Sequence, residues 1–192
     1  MRTREPLRDP PPEVQILRSV LPNRDSVGYR QAAREPGALA LCWRWFRPRH
    51  VATLVFSMLW DGFLVVWFTI AATLPGPMGI AMMCCPIVHV LAGLAITYIA
   101  VAGLLNRTHV GLEDGWLSVH HEPLPWPGGG RYPAAEIRSV GVREQRLQRG
   151  QVGYELVADL GSRTAVLAKG FRDRAVAEYI ADLIEAHLDL AD

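Results

Sequence analysis

LPGPMG, Leu74–Gly79, interrupts the longest uncharged tract of the chain, and two prolines with two glycines so close together do not continue a helix but readily reverse it. On both sides of it, from Val51 to Leu105, the sequence is almost wholly apolar, and Asp61 is the one formal charge in 55 residues. A helix crosses about 30 Å of hydrocarbon with about 20 apolar residues. The tract is therefore two such helices joined by a turn, with spans expected at about 51–73 and 80–105. A cleavable signal peptide is not expected, because the first span is too long and lies too far from residue 1.

Next to the first span stands LCWRWFRPRH, Leu41–His50, where aromatic rings alternate with arginines. Trp43, Trp45 and Phe46 suit the headgroup boundary, and Arg44, Arg47 and Arg49 between them reach lipid phosphate; Arg107 does the same after the second span. These seven residues are expected to anchor the hairpin at the membrane interface. The charge-free turn against these arginines predicts the inner (cytoplasmic) membrane with both termini cytoplasmic, and membrane lipids as partners.

An unpaired Asp61 at mid-bilayer costs about 2.5–3.5 kcal/mol on insertion scales. Counted from the turn, Asp61 and His89 differ in depth by about 4–5 Å. A hydrogen bond or ion pair between them is expected, within the hairpin or across an oligomer. As polar glue the pair joins two helices; as a functional pair it makes a proton-responsive or ion-coupled site, and the glue role is the commoner one. Gly62 and Gly93 are expected to permit close approach. Trp60, Phe63 and Trp67 share one side of the first span and face lipid or the partner helix.

After Leu105 the pattern changes from continuous to alternating apolar residues. In THVGLEDGWLSVHH, a two-residue Asp114–Gly115 turn pairs Leu112 with Leu117 and Val110 with Val119 on one face, and His109 with His120 on the other. Two histidines without a third ligand at a matching position do not make a metal site, so no metal ligand is expected. EPLPWPGGG, Glu122–Gly130, is a loop. AEIRSVGVREQRL, VGYELVADL and TAVLA follow as strands. A final helix is capped by Asp173 and carries the stripe Val176, Ile180, Leu183, Ile184 and Leu188. The expected class is an α+β membrane protein: a two-helix transmembrane hairpin, then a small curved sheet or partial barrel with a C-terminal amphipathic helix.

The run NRTHV…GWLSVHHEPLPW at Asn106–Trp126, the later GYEL and the closing AEYIADLIEAHL resemble an uncharacterised bacterial membrane protein family with a two-helix transmembrane hairpin and a pleckstrin-homology-like domain. The resemblance covers about Trp43 to Leu188. It implies a pleckstrin-homology-like fold for 106–192. Eukaryotic members of that superfold hold phosphoinositides in a basic loop between early strands, whereas the corresponding turn here is the acidic LEDGW, so that ligand is not carried over. A shared superfold supplies no activity.

Residues 1–40, rich in Pro and Arg, are expected to be a largely disordered arm, with one extended piece at Val14–Val20 suited to a sheet edge. Residues 1–50 carry ten arginines against five acidic residues, while 106–192 carry ten basic against thirteen acidic. That acidic half disfavours nucleic acid as a partner. Cys42, Cys84 and Cys85 form neither a disulfide framework nor a zinc spacing. No nucleophile triad, phosphate loop, dinucleotide fingerprint or metalloprotease helix is present, so neither enzymatic activity nor a cofactor is expected. Two functions remain. One is a non-catalytic interaction or scaffold module with a protein partner or a second copy. The other is a subunit of an oligomeric transporter or proton-sensitive sensor built on Asp61 and His89.

Overall fold

Alternation of apolar and polar side chains places one face of each strand in the core, and the first sheet uses this in five antiparallel strands. They are β1 (Val14–Val20), β2 (Ala38–Arg44), β3 (Arg107–Glu113), β4 (Trp116–Glu122) and β5 (Gly130–Pro133), in that spatial order. The computed structural model describes residues 10–20, 38–146 and 150–188. Asp114 and Gly115 both take positive φ, 51° and 76°, the conformation of a type I′ hairpin turn. The register is the expected one: Leu112 opposite Leu117, Val110 opposite Val119, His109 opposite His120. Those four apolar residues are all buried in the core.

Val14–Val20 is the edge strand that its isolated apolar cluster suggested, paired along β2 from Val14 opposite Trp43 to Val20 opposite Ala38. Of the expected arm at 1–40, residues 1–9 and 21–37 lie outside the described residues. Ala38–Arg44 departs from expectation: this segment, divided above between arm and anchor, is an interior strand of the sheet. Leu39, Leu41 and Trp43 alternate into the core. Three alternating apolar positions beside arginines look the same in a short strand as in an interfacial belt.

The second sheet is β6 (Ser139–Arg146), β7 (Val152–Asp159) and β8 (Thr164–Phe171), also antiparallel. A single 3-10 turn at Ala134–Glu136 precedes it, where a longer strand had been expected. The chain closes with α4 (Arg174–Leu188). Its first turn is capped as expected, with the Ala175 N–H donating to Asp173 Oδ1 at 2.9 Å. Ile180, Leu183, Ile184 and Leu188 are buried, and Ala177 takes the innermost place in the first turn beside a half-buried Val176. The Val140 N–H donates to Glu185 Oε1 at 2.8 Å, tying α4 to β6. His187 is fully buried. Its Nδ1 donates to the Leu183 carbonyl at 2.7 Å, which leaves Nε2 to accept from the Ser19 hydroxyl at 2.9 Å and link α4 to β1.

The second compact unit, Trp45–Asn106, is inserted in the chain between β2 and β3. Pro48 opens α1 (Pro48–Thr73), a position where its missing N–H costs nothing. At 26 residues, α1 is about 39 Å long. The reversal is tighter than expected: Leu74 and Pro75 suffice, and α2 (Gly76–Cys84) begins at once. A side chain at Gly79 would run into the carbonyl of Leu74, so glycine lets α2 fold back against the end of α1. Pro86 then breaks the helix before α3 (Ile87–Leu105). The second apolar helical stretch is thus Gly76–Leu105, interrupted once.

Small residues recur on the inner face of the hairpin. Ser57 and Ala71 are buried on α1 with Leu64 between them, and Gly93 and Ala100 on α3, each set one heptad apart; Ala71 lies at α2, its carbonyl beside Gly79. At Gly103 a Cβ would collide with the His50 ring, and at Gly93 with the Asp61 carboxylate; Gly62, also expected to allow close approach, has open space around it.

Candidate functional site

The polar groups of the hairpin are the first candidates. Thr97 Oγ1 donates to Asp61 Oδ2 at 2.9 Å. His89 is exposed and lies against Trp60, with ring centroids 5.7 Å apart and the planes 21° from parallel, and the Trp60 indole N–H donates to the His89 carbonyl at 3.2 Å. Among the described residues, no hydrogen bond or ion pair joins Asp61 to His89 within the chain. The depth argument holds, since Trp60 is level with His89. Direction separates the pair. A helical side chain tilts toward its own N-terminus. In an antiparallel hairpin, Asp61 therefore leans toward higher numbers on α3 and Thr97 leans back to meet it, while His89 leans the other way.

One polar contact was not foreseen. Pro86 has no N–H, so the Met82 carbonyl four residues earlier loses its helical donor. The Trp67 indole supplies one, donating to that oxygen at 2.9 Å. The signal was available: an unpaired carbonyl is predictable wherever a proline follows a helix turn, and Trp67 lies about the same distance before the turn as Met82 lies after it.

The seven expected anchor residues divide. Trp43 belongs to the core, 9% exposed, with its ring 5.4 Å from that of Phe171. Arg44 is exposed at the end of β2, opposite Arg107 on β3. Trp45 and Arg47 are half-buried, Phe46 is 56% exposed and Arg49 is exposed. The Trp45 N–H donates to the Asn106 carbonyl at 3.1 Å, closing the base of the hairpin.

On the first sheet His109 and His120 face each other as expected. The strand does not stop there. β4 continues through Glu122, the residue at which the sequence predicts the loop to begin, and pairs it with Arg107. On the opposite face His121 accepts or donates a 3.0 Å hydrogen bond with the Thr108 hydroxyl. Burial, and then the neighbouring His120, hold its imidazole below the ordinary histidine range.

No protein-family model matches the chain, and no curated protein matches it.

Proposed function

We propose that the protein is a non-catalytic, membrane-anchored interaction module, whose hairpin is solvated by lipid and whose sheet domain is displayed at the cytoplasmic face of the inner membrane. The observation that carries this is the exposure of the hairpin: only 17% of the apolar window of α1 and 22% of that of the second helical stretch is buried within the protein. A helix in the core of a water-soluble domain buries most of such a surface. Lipid removes the cost of leaving Phe56, Leu59, Val66, Leu91 and Leu94 uncovered. Two antiparallel sheets closed by one C-terminal helix also agree with the pleckstrin-homology-like domain that the sequence resemblance implies. An exposed, stacked His89 and the edges of the two sheets are where a protein partner or a second copy would dock.

Two single cysteines in a cysteine-free background test the placement: Pro77→Cys in the reversal and Ser162→Cys in the β7–β8 turn. The expected result is labelling of Cys at 77 by an impermeant maleimide in intact spheroplasts, and labelling at 162 only after lysis, with the protein released by detergent and not by alkaline wash. A chain that stays monodisperse in detergent-free buffer overturns the proposal. Crosslinking in native membranes then addresses the partner: capture of one stable heteromeric complex supports a scaffold role, whereas a homo-oligomer whose stability follows pH supports the alternative sensor or transporter role for Asp61 and His89.

A further inference from the structure

Three side chains on the outward face of the first sheet are used neither by the core nor by the hairpin. His109 and His120 stand opposite each other on β3 and β4, their rings 5.1 Å apart and 11° from parallel. Glu122 follows His120 by two positions, so strand alternation returns it to the same face. There it is the diagonal neighbour of His109, within reach of a long side chain. Its Oε1 lies 3.0 Å from His109 Nε2 and its Oε2 3.9 Å from His120 Nε2. One ligand atom from each of the three lies within 4.8 Å of the others. The residue directly opposite Glu122 is Arg107, yet among the described residues the carboxylate makes no ion pair with it and turns to the imidazoles.

We propose that His109, His120 and Glu122 form a binding site for a divalent transition-metal ion of the zinc class, with water completing its coordination. In a tetrahedral site with bonds of about 2.0–2.2 Å, neighbouring ligand atoms are about 3.3–3.6 Å apart. The ligand atoms, within 4.8 Å of one another, stand somewhat wider than that, so the site is open and closes on an ion by drawing the three side chains together. Two imidazoles and a carboxylate are the donor set of open zinc sites, whereas calcium and magnesium require mostly oxygen. All three ligands sit on two adjacent strands pinned by the Asp114–Gly115 turn, which holds the cluster together before an ion arrives. Side-chain exposures of 58% at His120 and 57% at Glu122 let the ion enter from solvent, while His109, at 21%, forms the floor. The inference does not depend on the hairpin being in a membrane.

The test is a Co²⁺ titration of the full-length chain, without an affinity tag and in detergent micelles, read by the ligand-field bands of the cobalt ion. The expected result is one saturable ion per chain at micromolar concentration, displaced by Zn²⁺ and not by Mg²⁺ or Ca²⁺. His120→Ala and Glu122→Ala, at exposed positions, are each expected to weaken binding by at least about 10-fold, the lower end of what losing even an outer-shell partner costs, while leaving the domain's unfolding midpoint unchanged. Cys84→Ser/Cys85→Ser is expected to bind as before. The proposal is overturned if the wild-type chain binds no ion saturably, if His120→Ala binds as well as wild type, or if the double cysteine variant alone abolishes binding.

Discussion

Trp67 repairs what Pro86 removes, and the pair makes an unusually direct test of the hairpin. Trp67→Phe leaves the Met82 carbonyl without a donor and is expected to cost about 0.6–2 kcal/mol of hairpin stability. Pro86→Ala restores the helical N–H, so the same Trp67→Phe change made on top of it should cost measurably less. Unfolding of all four proteins in mixed micelles gives the coupling, and additive costs would refute the repair. Trp43 offers a second test. As a core residue packed on Phe171 its change to alanine should cost the sheet domain about 3–5 kcal/mol, while Phe46→Ala, at an exposed site, should change domain stability by no more than about 0.5 kcal/mol. Near-UV circular dichroism through a denaturant series separates them. The sequence shows level along the hairpin better than direction: 1.5 Å per residue places Asp61 near the level of His89, but the tilt of the Cα–Cβ bond hands Asp61 to Thr97. Glu122 was hidden for a different reason, because the prolines after it read as the start of a loop although β4 still includes it.

Packing of α1 on α3 rests on what is missing at Gly93 and Gly103 more than on what is present. Gly93→Leu would drive a side chain into the Asp61 carboxylate and the Trp60 ring, and overpacking of this kind is expected to cost about 1–3 kcal/mol. Gly62→Ala meets open space and should leave the hairpin as stable or make it slightly more so. The fluorescence of Trp60 and Trp67 on denaturation reports both, and equal losses for the two variants would count against the small-residue interface. The two strands β3 and β4 were legible because their turn demands positive φ twice and Asp-Gly supplies it. β2 was not, since its three inward side chains are followed at once by the arginines of the helix start. The break at Pro86 went unseen because a uniformly apolar run conceals a proline whose lost hydrogen bond is met from another helix.

The chain runs out of β2 at Arg44, through the entire hairpin, and back into β3 at Arg107, the residue directly opposite. Arg44 and Arg107 thus stand where a tight turn would stand in an ordinary hairpin. Replacing Trp45–Asn106 by Asn-Gly is expected to yield a water-soluble domain that keeps the β2–β3 register and the near-UV spectrum of the parent. Hydrogen exchange of the β2 amides checks it: protection equal to that in the parent supports an insertion into a self-sufficient domain, and fast exchange there argues that the sheet needs its apolar insert. The alternation from β3 onward made a sheet domain with a closing helix plain in the sequence, and the apolar cluster at Val14–Val20 marked an edge strand, whereas β2, which runs straight into the apolar tract, was not plain. The insertion also orders events during synthesis. β2 leaves the ribosome before the hairpin, and its second pairing partner β3 only afterwards, so Leu39, Leu41 and Trp43 wait with one side of their sheet unformed while the helices are made. A nascent chain stalled in the hairpin would therefore expose a sticky, half-built sheet, and assembly of the domain becomes a report that the whole insert has been synthesised.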